Sequence, residues 1–230
     1  MISVLMPYWE RADNLFLTLE SFCVHYAGRF NDFEVVIVDD GSVQQPASSV
    51  TVNHWPFKVE LVELPKKHEP KNPCVPFNIA RAHARAEALV LTNPECRHDV
   101  PCLFGMLQDL TLTAHPAYIV AACRHPDGYW LQNSAAGPSA NLNYLTMLTA
   151  AFFDELGGFC EEFREGFTGE DNDFRDRIVQ AGATIRHRDD LICTHLVGRF
   201  DVDATGPKRD RNQEIWLRRR VERSQQPPRS

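Results

Sequence analysis

Two adjacent carboxylates stand where an apolar run of the sequence ends. Asp39 and Asp40 follow residues 35–38, Val-Val-Ile-Val, and precede Gly41 and Ser42. A carboxylate fixed at the C-terminal end of a buried strand can accept hydrogen bonds from the N–H or hydroxyl groups of a ligand. The same pair in an ordinary turn would only accept hydrogen bonds from backbone amides. The sequence is compatible with both interpretations.

A second group of acidic residues begins a helix that the pattern predicts at 169–180. Glu170, Asp171 and Asp173 come directly after Gly169. Negative side chains in the first helical turn are stabilised by the helix dipole, and such a run is more often a solvated helix start than a reactive site. In a cleft, however, a carboxylate within about 3 Å of a bound hydroxyl group can take up its proton. These residues are therefore candidates for a general base.

Strands and helices alternate around these residues. Apolar runs predict strands at 2–6, 33–38, 59–64, 89–92, 118–123, 144–150 and 183–196, and helical patterns cover 12–26, 77–88, 101–113, 152–156 and 169–180. The segment 65–76 contains four prolines and is predicted to be a loop. The alternation over the first 125 residues predicts a parallel sheet with helices on both faces. A ligand site is then expected at the carboxyl ends of the strands.

Three blocks of the sequence resemble those of family 2 glycosyltransferases. They are Ser-Val-Leu-Met-Pro-x-x-x-Arg at 3–11, Phe-Glu-Val-Val-Ile-Val-Asp-Asp-Gly-Ser at 33–42, and Gly-Gly-Phe at 157–159 followed by Gly-Glu-Asp-Asn-Asp-Phe at 169–174. The last block is also similar to the C-terminal half of galactosyltransferases. The resemblance spans residues 2 to about 196. It implies a GT-A fold, which is a Rossmann-like α/β fold with a mixed, mostly parallel sheet and helices on both faces.

The same resemblance implies an activity and a donor site. The expected reaction moves a sugar from a nucleotide-diphosphate sugar, with UDP favoured, to an acceptor hydroxyl group with inversion at the anomeric carbon. Asp40 would pair with the nucleobase, Asp39 would be a second contact, and Arg81 could reach a phosphate. The full set of implied donor contacts is Pro7, Tyr8, Trp9, Arg11, Asp39, Asp40, Asn78, Arg81 and Asn93.

The resemblance also assigns the acidic group at 169–174 a role in catalysis. It implies that Asp171 is the general base and that Glu170 binds the acceptor or the donor sugar. A base at the N-terminus of a helix would have its pKa held low by the dipole, whereas the neighbouring carboxylates would push it up.

A divalent cofactor, Mn²⁺ or Mg²⁺, is implied with an altered site. Where the family carries Asp-x-Asp, this sequence has Asn93-Pro94-Glu95, which keeps two oxygen ligands at the same spacing with one negative charge fewer. We therefore expect weaker or more Mn²⁺-biased binding by Asn93 and Glu95. His195 would be a third ligand, by analogy with GT-A enzymes that use a C-terminal histidine. The alternatives are a simple turn at 93–95 and a core position for His195.

Charge is distributed unevenly along the chain. The net charge is −7, made up of −10 for residues 1–200 (16 basic, 26 acidic) and +3 for residues 201–230 (8 basic, 5 acidic). The negative body disfavours a general nucleic-acid binder. The basic tail predicts a short amphipathic helix. It could close over a diphosphate, contact an anionic membrane or nucleic acid, or pack on the acidic body.

A length of 230 residues favours one domain. We assign residues 1–200 to a single GT-A domain, with a nucleotide-binding half at 1–125 and an acceptor half at 126–200, and residues 201–230 to the tail. Seven cysteines without a Cys-x-x-Cys pair predict reduced thiols. Together with a first segment that reads as a strand, they predict a cytoplasmic protein that could be peripheral at a membrane.

Several alternatives stay open at this point. The acceptor could be a glycan, a lipid-linked glycan, a protein or a nucleic-acid base. A retaining GT-A enzyme would share the fold, and a non-catalytic module that binds sugar nucleotides or glycans would share the donor site.

Overall fold

A mixed β-sheet forms the centre of the protein. The computed structural model describes residues 1–50, 55–67, 69, 72–135, 142–197 and 206–225. The strands in these residues are β1 (Ile2–Tyr8), β2 (Phe33–Asp39), β3 (Lys58–Glu63), β4 (Ala88–Thr92), β5 (Cys96–His98), β6 (Ala117–Arg124), β7 (Trp130–Gln132), β8 (Leu145–Thr149) and β9 (Thr184–His195). The helices are α1 (Ala12–His25), α2 (Cys74–His83), α3 (Cys102–Leu112), α4 (Ala150–Glu155), α5 (Glu170–Gln180) and α6 (Pro207–Ser224). Among the described residues, 3-10 helices include Ala47–Ser49 and Glu161–Glu165.

The sheet order is β3-β2-β1-β4-β8-β6-β9-β5, and β7 pairs with β6. Strands β3, β2, β1 and β4 are parallel neighbours, and so are β6 and β9. Strand β8 lies between β4 and β6 and is antiparallel to both. The prediction of a Rossmann-like, mostly parallel sheet is therefore confirmed.

The position of β8 is the main feature that the alternation of elements does not reveal. Strand β6 ends at the carboxyl edge of the sheet, and in the described residues the chain passes through the short strand β7, and through no α-helix, before it reaches β8. Because β7 and β8 both pair antiparallel with β6, these two strands run in the same direction, opposite to that of β6. Residues Leu145, Met147 and Leu148 are fully buried, which fixes this short strand inside the sheet.

Helices cover both faces of the sheet, as predicted. Leu19 and Phe22 of α1 and Met106 of α3 join the core on one face. The opposite core contains a ladder of stacked rings, because Phe159 lies 4.6 Å from Phe77 of α2 and 4.4 Å from Phe174 of α5 between ring centroids. Burying each such side chain contributes roughly 1.5–3 kcal/mol. These contacts attach the N-terminal end of α5 to the body of the domain.

Helix α2 ends five residues earlier than the sequence predicts. The backbone N–H groups of Arg85 and Ala86 donate to the Ser3 hydroxyl at 3.2 and 3.0 Å, and the N–H of Arg85 also donates to Glu34 at 2.9 Å. Since these amides are satisfied by side chains of β1 and β2, the helix stops at His83 and the chain turns into β4.

No helix in the described part of the chain combines the length and the apolar character needed to cross a bilayer.

Candidate active site

A cleft of about 540 Å³ opens at the carboxyl ends of β1, β2 and β4. It extends to the residues before β8 and to the start of α5. The predicted site residues that line it are Pro7, Tyr8, Trp9, Arg11, Asp40, Asn93, Glu95, Glu170 and Asp171. Pro73, Pro76 and Phe77 around the start of α2 also line it, so six separate segments of the chain meet here, as expected for a ligand site of an open α/β sheet.

The two adjacent aspartates after β2 have different environments. Asp39 is buried, and its two carboxylate oxygens accept hydrogen bonds from the backbone N–H groups of Ser42 at 2.8 Å and Ala47 at 2.9 Å. Asp40 lies in the cleft wall, where its N–H donates to the Tyr8 carbonyl at 2.8 Å and its carboxylate forms an ion pair with Lys67. Asp39 thus holds the turn, and Asp40 is the member of the pair that faces the cleft.

Gly41 allows the close approach that brings Lys67 to Asp40. Its φ is +88°, and a Cβ atom at this position would lie 2.1 Å from the carbonyl oxygen of Pro65. The N–H of Lys67 donates to the Gly41 carbonyl at 2.8 Å. Only glycine fits this conformation and this gap.

Glu10 is a residue whose role the sequence reasoning missed. Its carboxylate accepts hydrogen bonds from the backbone N–H groups of Val43, Gln44 and Gln45, with 2.9 Å to Gln44. Burial raises the pKa of this carboxyl, but the N–H donors outweigh burial and hold it below its ordinary value. Glu10 itself has a φ of +48°, an uncommon conformation for a residue with a side chain.

These hydrogen bonds join the loop after β1 to the loop after β2. Tyr8 adds to the junction, because its hydroxyl oxygen accepts the N–H of Arg11 at 3.0 Å and its O–H donates to the Gln45 carbonyl. The junction leaves Trp9 and Arg11 in the cleft wall. The indole Nε1–H of Trp9 is buried and has no hydrogen-bond partner within the described residues.

The turn after β4 carries Glu95 toward His195. Cys96 and His195 are register partners in the antiparallel pair β5–β9, so His195 lies beside Glu95 with 3.5 Å between Nε2 and Oε1. The guanidinium Nε of Arg11 lies 3.9 Å from the other carboxylate oxygen, Oε2. That oxygen is buried and has no hydrogen-bond partner in the described part of the chain.

Burial and charge act in opposite directions on this pair. Burial raises the pKa of Glu95, but His195 and Arg11 outweigh it, so the carboxyl has a pKa below its ordinary value and is ionised at neutral pH. Burial lowers the pKa of His195, whereas Glu95 raises it, and the net result is a pKa of about 8. The turn at 93–95 thus presents a negative oxygen that lacks a full set of partners.

Residues Asn93, Glu95 and His195 fit a divalent ion. An amide oxygen, a carboxylate and an imidazole are a donor set that Mn²⁺ accepts. The orphaned oxygen of Glu95 is the structural observation that supports this fit, because a buried carboxylate oxygen without a donor is costly. Asn93 completes the turn by accepting the N–H of Cys96 at 3.1 Å through its backbone carbonyl, and its side chain lines the cleft.

The start of α5 places two carboxyl groups at the opposite side of the cleft. Glu170 is buried and Asp171 is half-buried. Burial and the charge of Asp171 raise the pKa of Glu170 to about 8. Burial also raises the pKa of Asp171, although the N–H of Asn172 and the charge of Arg175 oppose it. Since the charge of Asp171 raises the pKa of Glu170, the more exposed Asp171 is the member of the pair that ionises first as the pH rises.

Asn72 holds this acidic pair in place. The sequence pattern does not single it out as a site residue. Its amide nitrogen donates to Glu170 and, at 3.3 Å, to the carbonyl of Thr168, while its carbonyl oxygen accepts the N–H of Cys74 at 3.1 Å. Asn72 ends the proline-containing loop, and Glu170 is 98 residues further along the chain. No local pattern can indicate such a contact.

Helix α6 packs on α5, which is one of the arrangements that the sequence leaves open for the tail. Asp173 is fully buried and forms ion pairs with Arg177 at 2.9 Å, Arg219 at 2.9 Å and Arg223. The indole N–H of Trp216 donates to Asp176 at 2.9 Å. The basic side chains of α6 thus compensate acidic side chains of the helix that begins the site.

Asn212 connects α6 directly to the wall of the cleft. It is fully buried, and its amide nitrogen donates to the carbonyls of Phe163 at 2.9 Å and Thr168 at 2.8 Å. Gly166 leaves room for it, because a Cβ atom there would lie 2.3 Å from the Asn212 oxygen. Gly169, with a φ of +93°, completes the turn into α5.

Besides Asp39, two predicted donor contacts do not line the cleft. Asn78 faces the segment after α4, where its side chain exchanges hydrogen bonds with the N–H of Phe159 at 2.8 Å and its carbonyl at 2.9 Å. Arg81 forms a two-pronged ion pair with Asp154 at 3.0 and 2.6 Å. Both residues connect α2 to the region around α4, and neither lines the cleft.

Comparison with known proteins shows the fold. No family model matches the sequence, and no curated protein matches it. The structure is similar to a mannosyltransferase, PcManGT from Pyrobaculum calidifontis in complex with GDP-Man and Mn²⁺, with a TM-score of 0.69 and 19% identity over 99% of this chain and 66% of that one. It is similar to TarS from S. aureus, with a TM-score of 0.70 and 16% identity over 96% of this chain and 43% of that one.

A third similar structure is that of GalNAc-T7 with UDP, GalNAc and Mn²⁺, with a TM-score of 0.71 and 14% identity over 100% of this chain and 53% of that one. This chain therefore spans between 43% and 66% of the length of these three proteins. All three align over nearly the whole of it. The fold defined by this sheet, with its cleft at the carboxyl edge, is the Rossmann-like GT-A type.

Proposed function

We propose that this chain transfers a sugar from a nucleotide-diphosphate sugar, with UDP as the favoured nucleotide, to a hydroxyl group of an acceptor. The observation that carries the proposal is the meeting in one cleft of Asp40 after β2, Asn93 and Glu95 after β4, and Glu170 with Asp171 at the start of α5. These are the positions that the resemblance to family 2 glycosyltransferases singles out. The three similar glycosyltransferase structures support the same class of reaction.

The nucleotide would bind between the loops after β1 and β2. Asp40 can accept a hydrogen bond from N3–H of uracil, and Lys67 forms an ion pair with its buried carboxylate. The indole N–H of Trp9 and the guanidinium of Arg11 are donors in the cleft wall that can reach ribose or phosphate oxygens. Asp39 contributes indirectly, since it fixes the turn that presents Asp40.

Asn93, Glu95 and His195 are the residues that would hold a divalent ion, Mn²⁺ in preference to Mg²⁺ because an imidazole is among the donors. Such an ion, when bound, would offset the negative charge that develops on the departing diphosphate. Arg11 lies beside Glu95 and adds a positive charge on the same side of the cleft.

Asp171 is the proposed general base. Its carboxylate takes the proton of the acceptor hydroxyl as that oxygen forms its bond to the anomeric carbon. The bond between that carbon and the diphosphate oxygen breaks, and the nucleoside diphosphate leaves with the electron pair. Attack from the face opposite the leaving group inverts the configuration. Glu170, buried and protonated more readily, would bind a sugar hydroxyl rather than remove a proton.

A donor screen tests the proposal. The purified chain is incubated with UDP- and GDP-sugars, with Mn²⁺ or with EDTA, and release of the free sugar is followed. Slow hydrolysis of one donor that depends on Mn²⁺ supports the proposal. Binding of UDP with no hydrolysis and no transfer from any donor would instead identify a non-catalytic module. The anomeric proton of the product, read by NMR, distinguishes inversion from retention.

A further inference from the structure

Three cysteines converge in the core next to the carboxyl end of the sheet. Cys96 is on β5, Cys123 on β6 and Cys193 on β9, and all three side chains are fully buried. Their sulfur atoms lie within 4.8 Å of one another. The strand register explains the meeting, because Cys123 is the direct partner of Cys193 and Cys96 is the partner of His195, two residues further along β9.

The spacing of the sulfur atoms matches a three-coordinate metal site. Metal–thiolate bonds of about 2.3 Å in a trigonal arrangement would separate the sulfur atoms by roughly 4 Å. Movements of less than an ångström would therefore bring the three side chains to a single ion. In the described residues, no histidine or carboxylate joins this group of ligand atoms.

The donor set selects the kind of ion. Three soft sulfur ligands favour Cu(I), whereas Zn²⁺ in structural sites takes four ligands. The nitrogens of His195 do not complete a fourth position, because Nε2 lies toward Glu95 and Nδ1 lies 3.2 Å from the carbonyl of Val197.

We propose that Cys96, Cys123 and Cys193 form a binding site for one Cu(I) ion, separate from the cleft and from the proposed Mn²⁺ ligands. The ion would cross-link β5, β6 and β9. Strand β9 ends at His195, which pairs with Glu95 of the cleft. The thiol protons displaced by the ion would pass to solvent.

The test uses the full chain, fully reduced and under anaerobic conditions. The two half-buried cysteines, Cys23 and Cys160, are replaced by Cys23→Ser and Cys160→Ser so that partly accessible thiols do not bind copper. The purified protein receives Cu(I) as a complex with a chromophoric chelator. In a parallel preparation, copper is supplied to the cells during expression. We expect one equivalent of copper to remain bound, an increase in the melting temperature, and an X-ray absorption spectrum with sulfur neighbours only. Zn²⁺ at the same concentration should not be retained.

A matched control distinguishes this site from other buried thiols. Cys123→Ser should abolish copper retention, whereas Cys102→Ser should leave it unchanged, since Cys102 is equally buried in the same core but lies outside the cluster. The proposal is overturned if the parent chain retains no copper by either route, or if Cys102→Ser loses as much copper as Cys123→Ser. Nitrogen or oxygen neighbours around copper in the folded parent chain would also overturn it, whether or not the Cys123 variant folds.

Discussion

Glu170 and Asp173 stand three positions apart on α5 and are expected to affect stability with opposite dependence on pH. Burial and the neighbouring Asp171 raise the pKa of Glu170 from about 4.5 to about 8. Between these values the folded protein holds a proton that the unfolded chain has lost, so a rise in pH favours unfolding. At about 1.4 kcal/mol for each pH unit, the upper bound of this destabilisation is roughly 5 kcal/mol.

Glu170→Gln removes this effect, because a neutral amide keeps an oxygen for the hydrogen bond from Asn72. The variant should resemble the parent chain at pH 5 and should be more stable by a few kcal/mol at pH 8.5. The assay is urea unfolding followed by tryptophan fluorescence and circular dichroism at pH 5, 7 and 8.5, with the midpoint and slope compared at each pH.

Asp173→Asn provides the contrasting variant. Burial raises the pKa of Asp173, but the positive charges of Arg177, Arg223 and Arg219 outweigh it and hold the pKa below its ordinary value. The carboxylate therefore contributes stability above about pH 4, and that contribution is lost as the pH falls through the lowered pKa. The substitution should cost roughly 3–5 kcal/mol at pH 7–8.5. If both variants shift stability in the same direction at pH 8.5, this electrostatic account of the helix is incorrect.

Three further predictions concern the walls of the cleft. Asn212→Ala removes the hydrogen-bond donor of two backbone carbonyls, including that of Thr168, and should lower the free energy of unfolding by about 2 kcal/mol. It should also lower kcat more than it raises the KM for the donor. An unchanged kcat in the fully folded variant would argue against a positioning role for Asn212. Gly41→Ala should weaken UDP binding at least tenfold in calorimetry, because its Cβ overlaps the Pro65 carbonyl; unaltered binding would contradict the role assigned to this turn. Asn93→Asp adds a negative charge to the proposed metal site and should lower the Mn²⁺ concentration needed for half-maximal activity several-fold. If that concentration is unchanged, Asn93 is not one of the metal ligands.

The sequence predicts the elements whose signal is local. The β-branched run before Asp39 and the helical spacing after Arg11 appear in the structure as β2 and α1 with bounds that differ by one residue at most. The three-residue strands β5 and β7 are too short to produce a period and were not predicted. Helix α2 differs at both ends. It begins at Cys74, whose N–H donates to the Asn72 side chain, and it ends at His83 because side chains of Ser3 and Glu34 accept the amides that follow.

The candidate site follows the same division between local and distant information. Asp40, Glu95 and Asp171 can be singled out because each lies at the end of a predicted element, where an open α/β sheet collects its ligands. Asn72, Glu10 and Asn212 cannot be found in this way, since their hydrogen bonds join residues that are 33 to 98 positions apart. The register of β9 against β5, which brings His195 to Glu95, is likewise a property of the folded sheet.

The most direct test of the account is the activity of Asp171→Asn with the donor that the screen identifies. The amide cannot accept the acceptor proton, so transfer and donor hydrolysis should fall below detection, while calorimetry should show UDP binding within a few-fold of the parent chain. Asp154→Asn, an exposed carboxylate outside the cleft, is the matched control and should retain activity. Transfer by Asp171→Asn at the parent rate would contradict the assignment of the general base and the mechanism built on it.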